Sequence, residues 1–190
     1  MPENRLTRFI HLSNLVSLTT SYAIAERFTY RRLSKNEYLL KAGQIADAYF
    51  LLDSGYMRAF AEDTAGNEVT TAFYAPGDMV FEVASFFKRA RSKENIQALT
   101  YCEGWFITYI ELNELFHALP EFREFGRSVL VDGFSALKNR MLSTITETAE
   151  ERYAALLKSN PEIFQHAPLK HIASYLGITD SSLSRIRAKK

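Results

Sequence analysis

Four glycines divide the first half of the chain at nearly equal intervals: Gly43, Gly55, Gly66 and Gly77 stand 12, 11 and 11 residues apart. Glycine reaches positive φ at little cost, so it collects where a chain must turn tightly. The segments between are β-branched and aromatic, as in Tyr49-Phe-Leu-Leu52, Tyr56-Met-Arg-Ala-Phe60 and Val69-Thr-Thr-Ala-Phe-Tyr74. Short strands separated by turns about every 8–12 residues fold as an all-β sandwich or barrel. Ala65-Gly66-Asn67 predicts a hairpin tip, and Pro76-Gly77-Asp78 a turn with proline fixing φ. Cys102-Glu103-Gly104 is read as the approach to a last strand over Trp105 to Tyr109. Before Phe28 a weak helical pattern runs through Leu6, Phe9, Ile10, Leu15 and Leu18.

After Tyr109 the period changes. Glu111 to Leu119 predicts a short helix that Pro120 interrupts, and Glu121 to Ile145 then runs without a turn signal. Leu130, Phe134, Leu137, Met141 and Ile145 recur at spacings of 4, 3, 4 and 4, one stripe down a helix. Such a stripe suits a coiled-coil seam and predicts self-dimerisation; the competing reading packs it on its own sandwich. Gly126 and Gly133, seven residues apart, would let a second backbone approach closely.

Charge is sorted along the chain. The whole carries 23 Lys and Arg against 22 Asp and Glu, so no global field advertises nucleic acid or an anionic membrane. The last 43 residues hold seven Lys and Arg against four Asp and Glu, and the first 147 hold 16 against 18. Within that basic segment, Thr148-Ala-Glu-Glu151 is a capping box, and Asn160-Pro161 is read as a cap with proline at the first helical position.

The most informative stretch runs from Leu169 to Arg187. Leu169, Ile172, Ala173 and Leu176 share one helix face, Gly177 ends the helix, and Ile178 plugs the bend. Thr179 caps a second helix whose buried face is Leu183 and Ile186. Two short helices crossing at a small residue, joined by a glycine turn, make a helix-turn-helix. Its outward residues Asp180, Ser181, Ser184, Arg185 and Arg187, with Thr179, Lys170 and Lys189, are the candidates to meet a major groove and its phosphates. Arg185 suits base reading, because a guanidinium bonds guanine O6 and N7 bidentately.

A glycine-paced sandwich, a long helix and a terminal LGIT-x-x-x-LSRIR segment, in that order, resemble the Crp/Fnr family of bacterial transcription regulators. The resemblance is strongest at Tyr49 to Gly55, Gly66 to Glu82 and Leu169 to Arg187. It implies an α+β chain: a cyclic-nucleotide-binding-like jelly roll over 1–120, a dimerisation helix over 121–147 and an all-α DNA-binding domain over 148–190. It also implies a cytoplasmic homodimer on a two-fold-symmetric DNA site with half-sites about 34 Å apart, and RNA polymerase as a further partner. An effector or redox change at the sandwich would shift the long helices and with them the two recognition helices. The family's small β-hairpin wing has no counterpart in this sequence, which predicts fewer phosphate contacts and a shallow salt dependence.

Ligand-binding members resemble F-G-E-x-A-L, a short loop, then R-[ST]-A, where glutamate holds the ribose and arginine the cyclic phosphate. Here Glu82 matches, but Phe81 replaces the glycine and Ser92 stands where the arginine belongs. Arg91-Ser92 restores the pair only with an added loop residue, so Glu82, Arg91 and Ser92 are the candidate ligand residues. Cyclic nucleotide is the cofactor weighed; the favoured expectation is a pocket that binds none. Lys88, Arg89, Arg91 and Lys93 offer an alternative anion site or a solvated crest.

Other chemistries find no support. His11, His117, His166 and His171 lie outside the expected strands, so a jelly-roll metal site lacks its ligands, and each is read as a polar helix residue. One cysteine, Cys102, permits no internal disulfide. G-x-S-x-G, HExxH and Gly-rich phosphate loops are missing, and no apolar run reaches the roughly 18 residues of a membrane span. The expectation is a non-enzymatic regulator; the competing class is a small-molecule-binding module acting through a protein partner.

Overall fold

The structure, a computed structural model, describes residues 4–188. Two antiparallel four-stranded sheets make the sandwich. They are built from β1 (Thr29–Leu33), β2 (Tyr38–Leu40), β3 (Ala48–Ser54), β4 (Met57–Glu62), β5 (Glu68–Tyr74), β6 (Met79–Val80), β7 (Asn95–Ala98) and β8 (Cys102–Thr108). The strand orders are β1-β8-β3-β6 and β2-β7-β4-β5, so β5 is an edge. All four pacing glycines have positive φ, from 81° to 103°. Asp63 closes the β4–β5 hairpin by accepting from the amides of Ala65 and Asn67.

The last strand begins at Cys102, three residues before the expected start, and Gly104 lies inside it, paired with Arg31 and Leu52. It is a packing glycine. A Cβ there would sit 2.2 Å from the Leu51 carbonyl and 2.6 Å from the Phe50 ring. The chain bends before the strand at Leu99 and Thr100 instead, where the Tyr56 amide donates to Thr100 Oγ1.

Helices flank both sheets of the sandwich. The weak N-terminal pattern resolves into α1 (Arg5–His11) and α2 (Leu18–Ala25), with Leu6 and Ile10 buried but Leu15 and Leu18 exposed. A further helix, α3 (Val83–Lys88), follows β6. After β8 come α4 (Tyr109–Ala118), started by a Thr108–Glu111 capping box, and α5 (Pro120–Thr146), with Pro120 in its first turn. Phe122 and Phe125 seat the start of α5 on the sandwich core. Gly126 receives the Phe116 ring of α4, 2.6 Å from where its Cβ would be, so its close approach is made within the chain; Gly133 faces open space.

The C-terminal segment contains α6 (Ala149–Ser159), α7 (Ile163–His166), α8 (Leu169–Tyr175) and α9 (Asp180–Ala188). Thr148 and Glu151 form the capping box. Asn160 closes α6 as its C-cap, and α7 starts at Ile163, so Asn160-Pro161 ends one helix before a turn and does not begin the next. These helices share a second core, to which the sandwich contributes Tyr56 and Leu99.

Gly104→Ala is expected to cost about 2–3 kcal/mol through forced backbone displacement, whereas Gly66→Ala, with open space around it, should cost only about 1 kcal/mol for its positive φ. Urea unfolding midpoints measure both, and equal losses would contradict the assignment of Gly104 to packing.

Candidate nucleic-acid interface

Leu176 ends α8 and Gly177, at φ 69°, takes the left-handed position after it. The Gly177 amide donates to the Ser174 carbonyl at 3.1 Å and the Ile178 amide to the Ala173 carbonyl at 3.0 Å. These are the two bonds of a Schellman turn. Thr179 Oγ1 accepts from the Ser182 amide at 3.3 Å and starts α9. Ala173 and Leu183 are fully buried and Ile186 nearly so, while Leu169 is 37% exposed and stands outside the buried face expected of it.

Among the described residues, the outward face of α9 is exposed. Thr179, Asp180, Ser181, Ser184, Arg185 and Arg187 are exposed, as is Lys170 on α8; Lys189 lies outside the described residues. Arg185 leans back along its helix, its Nε 3.3 Å from the Ser181 carbonyl. Arg152 on α6 braces the motif from behind, donating to the Leu176 carbonyl at 3.0 and 3.2 Å and to the Glu147 carbonyl at 2.6 Å. It thereby serves the C-terminal carbonyls of both α8 and α5, which lack intrahelical donors.

The motif docks on the sandwich edge, an arrangement the sequence reading missed. Arg58 on β4 pairs across the sheet with Gln97 and Phe73, on the face opposite core residues Met57 and Ala59. Its guanidinium, 3% exposed, bonds Glu68 at 2.6 Å and Gln97 at 3.1 Å and lies 3.9 Å from the Phe60 ring centroid. Its Nε and Nη1 have no partner among the described residues. Ser174 Oγ on α8 accepts from the Thr70 amide and lies 3.1 Å from Thr70 Oγ1. Tyr56 stacks on His166 at 4.3 Å and donates to the Glu162 carboxylate. His171, read as an ordinary polar helix residue, is buried at this seam, its Nε2 3.7 Å from Glu68.

The expected ligand cassette is occupied by its own hydrogen bonds. Glu82 caps α3, accepting from the amides of Ala84 and Ser85 at 3.1 and 2.6 Å. Ser92, 4% exposed, donates to the Glu94 carbonyl and accepts from the Glu94 amide. Arg91 donates to the Gly43 carbonyl and lines an open cleft of about 610 Å3 with Arg31, Gln44 and Asp47. Arg89 binds the Ala46 carbonyl and Asp47 and covers the Tyr109 ring. Of the four cations, therefore, Arg89 and Arg91 are tied back to the β2–β3 connection. Phe81 packs on Tyr49, Phe86 and Phe87, filling the place that glycine would leave open. Cys102 is buried, its thiol against the Tyr56 carbonyl, and burial pushes its pKa up, away from a reactive thiolate.

The dimer candidates divide by position on α5. Phe134, Leu137, Met141 and Ile145 are 55–73% exposed, and Val131 and Leu142 extend the strip; Leu130, nearer the sandwich, is partly covered.

A β-sandwich, a long helix and a terminal helix-turn-helix follow one another along the chain. Residues 30–118 match the cyclic nucleotide-binding domain family. The chain is 25% identical over 166 residues to the fumarate and nitrate reduction regulatory protein of Vibrio cholerae, covering 81% of this chain and 65% of that one. It thus spans about two thirds of the length of the curated relatives it matches. FixK2 from Bradyrhizobium japonicum superposes with a TM-score of 0.73 at 18% identity, covering 85% of this chain and 83% of that one. The c-di-GMP responsive global regulator CLP of Xanthomonas campestris gives 0.71 at 17%, covering 91% of each. The chain is similar in architecture to regulators of the Crp/Fnr family.

Two measurements follow from this geometry. Burial, then Arg58 and Lys170, pull the His171 pKa from 6.5 to about 4, against the opposing pull of Glu68 and Asp180. Between those pH values the unfolded chain binds more protons, so stability falls as pH drops from 6.5 toward 4 and His171 adds no pH dependence above that window. His171→Gln should flatten this part of the unfolding profile, and an imidazole NMR titration centred at the ordinary value would contradict the placement. Cyclic AMP and cyclic GMP should leave the melting temperature unchanged; a saturable rise in either would show that the cassette opens.

Proposed function

We propose that this chain is a homodimeric transcription regulator that binds a two-fold-symmetric DNA site through α9. The observation that carries the reading is the finished helix-turn-helix, with Leu183 and Ile186 buried while the polar and basic face of α9 stays exposed. Thr179, Asp180, Ser181, Ser184 and Arg185 face the groove in this reading, and Lys170, Arg187 and Lys189 the phosphates. The exposed strip on α5 is the dimer seam, since apolar side chains in a contiguous patch favour burial against a partner. The relatives' names, which are those of gene regulators, agree with it. Residues 1–120 serve as the sensor, 121–147 as the dimer helix and 148–190 as the DNA-binding segment, with RNA polymerase as the further partner. The sensor takes an effector other than a cyclic nucleotide, or none, because Glu82 and Ser92 already have their hydrogen bonds. The chain acts by binding, without catalysis.

Anisotropy titrations against duplex DNA at two salt concentrations test the reading. Affinity should fall log-linearly with salt, each phosphate contact adding about 0.9 to the slope, and salt-independent or undetectable binding would overturn it in favour of a module acting through a protein. Arg185→Ala should erase about 1–3 kcal/mol of preference for the selected site over random duplex. Phe134→Asp should sediment as a monomer and lose the site.

A further inference from the structure

Arg140, near the end of α5, reaches two other elements at once. Its Nη1 donates to the Thr71 carbonyl of β5, and its Nη2 to the Tyr175 carbonyl that ends α8, at 3.1 Å. Nη2 also lies 3.5 Å from the Thr70 carbonyl, and the guanidinium sits 4.0 Å from the Tyr175 ring centroid. Each acceptor is otherwise short of a donor. β5 is a sheet edge, so its outward carbonyls have no ladder partner. Tyr175 belongs to the last turn of α8, whose carbonyls lack intrahelical donors. One side chain from the long helix therefore ties the sensor's edge strand to the first helix of the motif.

We propose that Arg140 is a positioning residue that sets the orientation of α9 relative to α5, and so fixes the spacing at which two recognition helices meet DNA. The proposal rests on the DNA-binding reading for its functional half only. The guanidinium suits the task because its planar fork presents several donors in fixed directions, which holds two carbonyls from different elements at a set distance. A lysine ammonium keeps the charge but swivels on a flexible stem, so the same contact would no longer define an angle. Ser174 on Thr70 and Tyr56 on His166 keep the domain docked when Arg140 is lost; the change expected is in angular spread, with the fold retained.

The test compares the unmodified protein with Arg140→Met, which keeps an apolar stem over Tyr175, and Arg140→Lys. Spin labels are placed at exposed Lys93→Cys on the sandwich and exposed Ser184→Cys on α9, with labelled chains diluted into unlabelled ones. Pulsed electron resonance should give one narrow distance with Arg140, a broad distribution with Met, and intermediate breadth with Lys. A symmetric duplex selected from a random pool by the unmodified protein is then lengthened by one and two base pairs between half-sites. The unmodified dimer should lose about tenfold or more in affinity per inserted step, and the Met variant under about threefold, with single half-site affinity unchanged. A narrow distance and an undiminished spacing penalty in both variants overturn the proposal. Should the unmodified protein select no duplex, the DNA reading fails while the label distances still decide what Arg140 does. Should Arg140→Met fail to fold, judged by circular dichroism, Arg140→Lys decides alone.

Discussion

A guanidinium 3% exposed, with two nitrogens lacking hydrogen-bond partners among the described residues, is tolerable only while something lies over it and a carboxylate stays beside it. Arg58 has both conditions met by different parts of the chain: Glu68 from the same hairpin, and α8 as the cover. The pair is lopsided, because Glu68 remains 41% exposed and keeps much of its hydration while Arg58 does not. Attraction in such a seam is offset by desolvation, so its contribution is specificity of placement more than net stability. A displaced α8 would return Arg58, Tyr56 and Thr70 to water together. The last helices and the sandwich are thus energetically joined, although the sequence separates them by charge and by a long helix.

This explains which parts were legible. The helix-turn-helix could be read from Ala173, Gly177, Thr179, Leu183 and Ile186 because each of those positions is dictated by local geometry within a few residues. The pacing glycines were legible for the same reason. Gly104 was misread because glycine serves two purposes, turning and making room, and only the Phe50 ring and Leu51 carbonyl from another strand reveal which one applies. The short strands β2 and β6 carry too few residues to show an alternation, and are strands because neighbours pair with them. Arg58 and Glu68 lie more than a hundred residues from His171 in mixed company, so no spacing could announce that they meet.

The sandwich illustrates how the stretch from Phe81 to Ser92 is closed by its own bonds without losing its fold. A ligand phosphate needs unsatisfied donors held in place beforehand. In this chain the corresponding groups are engaged: Glu82 with the first amides of α3, Ser85 between the Ala46 amide and the Ala90 carbonyl, and Ser92 with both ends of Glu94. Opening the cassette would break several of these bonds before any new one formed. Phe81 adds a steric term, since its ring is already packed among Tyr49, Phe86 and Phe87. Signals reaching the long helix by this route would have to move the aromatic cluster as a block.

The long helix has room for two tasks because they fall on different sides of it. At about 100° per residue, Phe134, Leu137, Met141 and Ile145 centre roughly 100–120° around the axis from Arg140. The apolar strip can therefore face a second copy while the guanidinium holds β5 and α8 within its own chain. The first turns of α5 are committed to the sandwich by Phe122 and Phe125, and the last to the helix-turn-helix by Arg140 and, at the Glu147 carbonyl, by Arg152. In the proposed dimer, a rotation of one α5 about the other would carry sandwich and α9 together as long as those ends hold. Within one chain the two blocks meet at the seam between β5 and α8, where the Phe73–Tyr175 ring contact, the Ser174–Thr70 bond and the Arg140 fork act together.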